Sequence, residues 1–196
     1  MLSVVIPVKN EPYLPQLLSL LPSDCEVHIQ TEQGLGYAVL CGVRASIGDV
    51  VAVLDGDGSH NPKYLSQMVS LLGDCDVVVG SRYFGGSTCD PQVRQLLSRL
   101  YCLFAQFLFR LQVRDCMSGY IVAKKSVYDC LVLNPVGYKF GLEVLVKAQG
   151  KFKVKECPVV FERRKMGASK TGFGQGIKTL AFMIKLYVEK QAGYYR

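Results

Sequence analysis

Two aspartates one residue apart, Asp55 and Asp57, stand at the end of the apolar run Val50-Val51-Ala52-Val53-Leu54, so a short strand delivers both carboxylates to its carboxyl edge. Such a pair suits a hard divalent cation, Mg2+ or Mn2+, which prefers oxygen, keeps several waters, and shares its coordination between one or two carboxylates and a substrate's phosphates. The chemistry implied is the gripping of a metal-bound diphosphate. Gly56 and Gly58 are read as leaving room for that ligand. Asn61-Pro62 reads as an N-cap followed by a first-turn proline, ahead of an apolar face of Tyr64, Leu65, Met68, Leu71 and Leu72. An isolated Asp-x-Asp also marks an acidic turn capping a helix, and its place after a strand favours the ligand reading.

The elements that must position this turn follow an alternation of strand and helix from the first residue, the pattern of an α/β domain with a mostly parallel sheet covered on both faces. Strands are expected at Leu2 to Val8, Glu26 to Thr31, Val50 to Leu54, Asp76 to Gly80, Gly119 to Ala123 and Lys153 to Phe161. Helices are expected at Pro12 to Leu21, Gly36 to Ser46, Pro62 to Leu72, Gln92 to Gln112, Ser126 to Leu131, Phe140 to Gln149 and Gly174 to Lys190. In such sheets ligands bind beyond the carboxyl ends of the strands, where Asn10-Glu11, Asp55-x-Asp57 and Ser81-Arg82 fall.

The 196 residues suffice for one buried core, and no Ser, Gly or Pro-rich stretch marks an internal linker. The formal charge of +7 is uneven, with eleven Lys or Arg in residues 151 to 196 against Glu156, Glu162 and Glu189. That basic end suits nucleic acid, anionic lipid or a phosphorylated substrate, and charge alone does not choose. The eight cysteines, at 25, 41, 75, 89, 102, 116, 130 and 157, avoid the spacing of a zinc knuckle or redox pair and read as small core residues of a reducing, cytoplasmic protein. Met1-Leu2-Ser3 runs straight into a strand, so no cleavable leader is expected. The longest uncharged apolar stretch, Leu100 to Phe109, is far short of the roughly 18 residues a membrane span needs.

Val4-Val5-Ile6-Pro7-Val8-Lys9-Asn10-Glu11, Gly34-Leu35-Gly36, Asp55-Gly56-Asp57-Gly58-Ser59-His60 and Gly80-Ser81-Arg82-Tyr83 follow one another in the order of the family 2 glycosyltransferases, which have the GT-A (Rossmann-like) fold. Four later segments resemble the dolichol-phosphate mannose synthase branch, the polyprenyl-phosphate glycosyltransferases. They are Arg94-x-x-x-Ser98, Asp115-x-x-Ser118-Gly119, Gly137-Tyr138-Lys139-Phe140-x-x-Glu143 and Arg164-x-x-Gly167-x-Ser169-Lys170. Each short piece is weak alone, and the ordered set is specific.

The resemblance implies transfer of a hexose, mannose above all, from a nucleotide diphosphate sugar to a polyprenyl (dolichyl) phosphate, with inversion. It implies Asp55, Asp57 and Ser59 around Mg2+ or Mn2+, which neutralises charge on the departing diphosphate. Pro7, Lys9, Glu11, Gly36, Asp55, Asp57 and Lys170 fall on the nucleotide-sugar side, GDP-mannose being favoured over a UDP-hexose. A phosphate monoester has its second pKa near ~6 and is already mostly dianionic at neutral pH, so the acceptor needs cations rather than a base. Arg82, Arg94 and Arg164, with Ser98, are the candidates to hold it, and with Asp57 the arginines are the candidate catalytic groups. As isolated residues these arginines would be solvated surface cations, and their motif positions argue otherwise. Asp115 and Glu143 match family acids on the acceptor side.

A lipid acceptor implies an enzyme at a bilayer surface, and the resemblance implies the cytoplasmic face. Along Arg94 to Gln112 the polar positions Gln95, Ser98, Arg99, Gln106 and Arg110 form a narrow stripe, leaving an apolar arc broader than a surface helix normally buries. Ile177, Leu180, Ile184, Tyr187 and Val188 between Lys178, Lys185 and Lys190 repeat the pattern. Both helices suit the interface plane of a bilayer, and a core position or a partner interface such as a membrane-anchoring subunit gives the same pattern. The division expected is a catalytic domain over 1–172, including the helix at 92–112, and a basic amphipathic end over 173–196.

One departure stands out. Only Cys25 to Gln33 fills the interval where the family carries two strands and a second paired-acid turn that meets the nucleobase; Glu32 is a partial substitute and Lys9 stands where an aromatic is usual. That gap keeps a non-catalytic sugar-nucleotide or lipid-binding subunit as the alternative. A nucleotidylyltransferase would open with a Gly-x-Gly-Thr-Arg loop, which is absent, and no nucleic-acid-binding module accompanies the basic end. His28 reads as a strand residue. His60 fits either approach to a diphosphate or packing at the start of a helix.

Overall fold

Runs of β-branched and apolar residues bury poorly on one face alone, and here they stack as the inner strands of a sheet covered on both sides. The computed structural model describes residues 1–9, 11–31, 34–134, 139–165 and 173–194. Its main sheet holds β1 (Leu2–Pro7), β2 (Glu26–Gln30), β3 (Val50–Val53), β4 (Val77–Ser81), β6 (Ile121–Lys124) and β7 (Val154–Pro158), in the order β2-β1-β3-β6-β4-β7. A separate pair joins β5 (Ser87–Thr88) to β8 (Val160–Phe161). The helices are α1 (Leu14–Ser19), α2 (Leu35–Ala45), α3 (Leu65–Leu71), α4 (Gln92–Phe109), α5 (Lys125–Cys130), α6 (Phe140–Ala148) and α7 (Phe173–Gln191).

All pairings are parallel except those of β6, which runs against both β3 and β4. This reversal matters for the site. The carboxyl ends of β1, β3, β4 and β7 share one edge, and β6 brings its leading segment, Asp115 to Tyr120, to that same edge. Successive side chains point to opposite faces, so Val5, Val51, Val53 and Ile121 pack with α2, α5 and α6, while Val4, Ile6, Ala52, Val78 and Val122 pack with α1 and α3. A third cluster seats α4 and α7 together through Cys102, Ala105, Phe109, Met183 and Leu186, against Leu142 and Leu145 of α6.

Three expected boundaries shift for local reasons. The stretch Lys153 to Phe161 is two strands, because Pro158 has no N–H to continue a ladder. Val159 N–H instead reaches Ser81 O at 3.1 Å, and Val159 O accepts from Ser87 N–H at 3.0 Å, which starts the small sheet that the sequence pattern did not mark. The helix expected to Gln112 stops at Phe109, where Arg110 takes a left-handed conformation at φ 56° and Gln106 Nε2 donates to the carbonyls of Val113 and Arg114. The helix from Pro62 begins as a 3-10 turn, Pro62–Tyr64, with Asn61 capping it by accepting from Lys63 N–H at 3.0 Å.

The broad apolar arc of α4 is borne out. Its buried residues are Cys102, Ala105 and Phe109, while Val93, Leu96, Leu97, Leu100, Leu103 and Phe107 face solvent, Phe107 being 84 % exposed. On α7, Ile177, Ile184 and Val188 are exposed beside the buried Met183 and Leu186. Among the described residues no helix is long and apolar enough to cross a membrane.

Candidate active site

The Asp55–His60 turn leaves the core directly after β3 and is pinned from two sides. Ser59 N–H and Oγ both donate to Asp57 Oδ1, at 2.9 and 2.6 Å, so the hydroxyl expected beside a cation here orients the carboxylate. Glu162 N–H donates to Ser59 O at 3.0 Å and Lys165 N–H to Asp57 O at 3.1 Å, tying the turn to the segment after β8. The two glycines do not open space for a ligand as expected. A Cβ at Gly56 would meet Val8 Cγ1 at 2.8 Å, and Gly58, at φ +80°, is covered by the Tyr13 ring and Lys165 at 2.7 and 2.8 Å. Both are glycine so that the turn can lie flat on β1 and its flanking loop.

That segment after β8 supplies Arg164. Its Nη2 lies 2.8 Å from Asp57 Oδ2 and its Nη1 lies 3.3 Å from Glu11 Oε2, so one guanidinium joins the loop after β1 to the turn after β3. Burial alone would push the Asp57 carboxyl up, but the Ser59 hydrogen bonds, with His60 and Arg164, hold it below the ordinary aspartate range. Asp55 moves the other way. Burial raises it, the Asp57 charge adds to the rise, and His60, Lys139 and Arg164 oppose it.

His60 packs under the turn and braces Asp55. Its Nδ1 accepts from Asp55 N–H at 2.9 Å, which leaves the proton on Nε2, 3.9 Å from Asp55 Oδ2. The buried ring stacks on Tyr120 at 5.0 Å and meets the Phe161 edge at 4.6 Å. His28 pairs with Glu26 on β2 and is a strand residue, as read.

Arg82 is buried and does not present a bare cation. Its Nε and Nη2 grip Asp115 Oδ2 and Oδ1 at 2.7 and 2.8 Å, its backbone N–H donates to the same Oδ2, and the guanidinium lies over the rings of Tyr83 and Phe161. Burial opposes its charge, but the Asp115 hydrogen bonds outweigh that and hold it firmly protonated. Asp115 is in turn fixed by Glu156, whose carboxylate accepts from the N–H groups of Arg114 and Asp115. Arg94 sits exposed on the first turn of α4, 3.3 Å from Asp90, and the Ser98 hydroxyl lies near that of Tyr83. Glu143 is buried and paired with Lys147 at 2.5 Å, and its carboxylate also accepts from Asn134 N–H.

Contacts therefore bring Glu11, Asp57, Ser59 and Arg164 together and set Asp55 against His60. Arg82 forms a neighbouring pair with Asp115, linked to His60 through Phe161. Pro7 is buried as the last residue of β1, Lys9 is exposed beyond it, and Gly36 is buried in the first turn of α2. Lys170 lies outside the described residues.

The sequence reading missed Lys139. It stands at the start of α6, half-buried, where burial and Arg82 lower its pKa while Asp55 and Asp115 oppose the change. Its charge thus lies within electrostatic reach of both the Asp55 turn and the Arg82–Asp115 pair. Its place inside the Gly137-to-Glu143 motif was the available signal.

A cation fits this edge only as a shared ligand. Among the described residues no cluster of three or more His, Cys, Asp or Glu is built to hold a metal alone. Two carboxylates in one turn leave coordination for water and phosphate oxygens, the habit of Mg2+ and Mn2+. Arg164 already places a positive charge 2.8 Å from Asp57 Oδ2.

The sequence profile of glycosyl transferase family 2 matches residues 19–132. A dolichol-phosphate mannosyltransferase of Pyrococcus furiosus is 33 % identical over 145 residues, which are 71 % of this chain and 41 % of that protein. A polyprenol monophosphomannose synthase of Mycolicibacterium smegmatis is 30 % identical over 168 residues, 81 % of this chain and 63 % of its own length. The chain thus spans about two fifths to two thirds of these relatives. Glucosyl-3-phosphoglycerate synthase of Mycobacterium tuberculosis, crystallised with Mn2+, uridine diphosphate and phosphoglyceric acid, superposes with a TM-score of 0.69 at 16 % identity, covering 95 % of this chain and 78 % of that one. At that identity the likeness concerns the fold.

Proposed function

Because the chain belongs to glycosyl transferase family 2, we propose that it transfers a hexose, mannose from GDP-mannose in preference to a UDP-hexose, onto a polyprenyl phosphate at a membrane surface. The observation that carries this reading is the meeting of Glu11, Asp55, Asp57 and Arg164 at one sheet edge, beside the Arg82–Asp115 pair and Lys139. The activities named for the Pyrococcus and Mycolicibacterium relatives support the substrate class.

Asp55 and Asp57 would hold Mg2+ or Mn2+, which would supply Lewis-acid neutralisation of the departing diphosphate. Ser59 fixes the rotamer of Asp57, and His60 fixes Asp55. Glu11, Pro7, Lys9 and Gly36 frame the nucleotide, and Lys170 is assigned to the same ligand by its motif alone. Arg82 and Lys139 face the acceptor phosphate, Arg94 and Ser98 receive it from α4, and the preformed dianion attacks without a dedicated base. Arg82, rigid against Asp115, contributes a fixed positive field.

Lys139 gives this scheme a pH signature. Its folded pKa is lowered from the ordinary ~10.4, so the ammonium is present below that lowered value and is lost as pH rises through it. The KM for polyprenyl phosphate is expected to rise on the alkaline side sooner than for an ordinary lysine. Lys139→Arg, which stays charged, removes that limb while leaving the profile for donor in place. An unchanged limb in the arginine variant excludes the role.

The exposed apolar side chains of α4 and α7, with Lys178 and Lys185 beside them, support peripheral binding to the cytoplasmic leaflet. Phe107→Asp combined with Ile184→Asp is expected to weaken sedimentation with anionic liposomes by at least about 10-fold, since each large apolar side chain withdrawn from water contributes about 1.5–3 kcal/mol. Transfer to a short, water-soluble acceptor is retained in that variant.

The reading is tested by supplying GDP- and UDP-sugars in turn with polyprenyl phosphate in liposomes, with Mg2+ or Mn2+. Formation of a lipid-linked hexose from one donor is expected. Consumption of none, by folded protein that still binds the liposomes, makes the chain a binding subunit instead.

A further inference from the structure

We infer that Arg164 is an internal counter-ion that a divalent cation must displace, so that the metal is retained only when a nucleoside diphosphate draws the guanidinium away. This rests on the proposed function and concerns the regulation of that same site. A carboxylate offers about four lone-pair directions. On Asp57, Oδ1 accepts both the N–H and the hydroxyl of Ser59, and Oδ2 accepts Arg164 Nη2 at 2.8 Å. The single direction left on Oδ2 lies beside a full positive charge, and an arriving Mg2+ or Mn2+ meets that charge at contact range.

Arg164 is also well held in place. Its second nitrogen faces Glu11 at 3.3 Å, the Glu11 and Asp57 side chains are almost wholly buried, and Lys165 N–H anchors the same segment to Asp57 O. Ionic contacts are strengthened where water is excluded. The arginine therefore satisfies the two carboxylates in the absence of ligand and stabilises the metal-free state.

A diphosphate reverses the balance. It brings two or more negative charges, and a guanidinium fork matches phosphate geometry at least as well as carboxylate. Once Arg164 turns to the phosphates, Asp57 Oδ2 is released to the cation and Glu11 is released to accept from the nucleotide. Metal and nucleotide then bind with positive coupling beyond what direct bridging supplies, and the coupling is reciprocal. A metal ion alone has low affinity, which keeps the edge from sequestering cations between turnovers.

The test measures Mn2+ binding by electron paramagnetic resonance, without sugar or acceptor, for wild type, Arg164→Ala and Arg164→Lys, each with and without GDP and UDP. Arg164→Ala is expected to bind nucleotide-free Mn2+ on the order of 10-fold more tightly than wild type, and to show a nucleotide–metal coupling reduced by a similar factor. Arg164→Lys keeps the charge and is expected to stay close to wild type in nucleotide-free affinity. Thermal melting of each variant establishes that it is folded. Equal or weaker nucleotide-free binding in Arg164→Ala, or an unchanged coupling factor, overturns the inference while leaving the transferase reading standing. Absence of Mn2+ binding in every protein, even with GDP or UDP, removes both.

Discussion

Asp57→Asn is expected to lower hexose transfer by about 10³-fold, roughly 4 kcal/mol of transition-state stabilisation, with little change in the melting temperature. Asp57 is held ionised by Ser59, His60 and Arg164, and a neutral amide of the same shape keeps an oxygen to accept from Ser59 but loses the charge that a divalent cation requires. The leaving diphosphate then departs without its counter-charge. Asp55→Asn is expected to do nearly as much, because the pair acts as a unit and such effects do not add. Steady-state transfer with saturating donor, set beside a melting curve, separates this loss from misfolding. Retention of more than about a tenth of wild-type activity in Asp57→Asn contradicts the assignment.

Asp115→Ala should be the most damaging single change for stability. It leaves the Arg82 guanidinium buried without its bidentate partner, and removal of one member of a buried ion pair costs about 3–5 kcal/mol. In a chain of this length each kcal/mol corresponds to about 2–4 °C, so a fall on the order of 10 °C is expected by calorimetry. The double variant Arg82→Met with Asp115→Leu should recover most of that stability, because a well-packed apolar pair often replaces a buried ion pair at little cost. It should not recover transfer, since the fixed positive field is gone. A double variant that is both stable and fully active would make the pair purely structural.

The fold was legible where chemistry repeats along the chain and obscure where it depends on one atom or on distant partners. The six runs that became the main sheet announce themselves largely by apolar content, and their boundaries moved by a residue or two except in the last, which is cut at Pro158. β6 reads like its neighbours because every inner strand is apolar on both faces, so composition carries no sign of its reversed direction. The β5–β8 pair is two residues on each side, too short for any periodicity, and exists because Pro158 breaks the longer run. Within the site, Asp55, Asp57 and Arg164 were visible from motif order and do converge. Arg82 was visible too, but its partner lies 33 residues on, and nothing local to Arg82 signals that Asp115 will take both of its donor nitrogens. Gly56 and Gly58 were read as room for a ligand because glycine looks the same whether the missing Cβ admits substrate or admits β1. Lys139 was quoted within a motif and passed over, since only the packing of α6 beneath the sheet edge shows which charges surround it.

The account stands on the Asp55–Asp57 turn accepting a divalent cation together with a nucleoside diphosphate. The most direct measurement is an anomalous-difference map from crystals of the protein grown with Mn2+ and GDP, and with Mn2+ and UDP, collected at the manganese absorption edge. The account predicts one strong peak within coordination distance of an oxygen of Asp57 and of Asp55, bridging to the diphosphate, with Arg164 turned from Asp57 to the phosphates. A map without manganese at those oxygens, in crystals whose nucleotide is clearly bound, would contradict it.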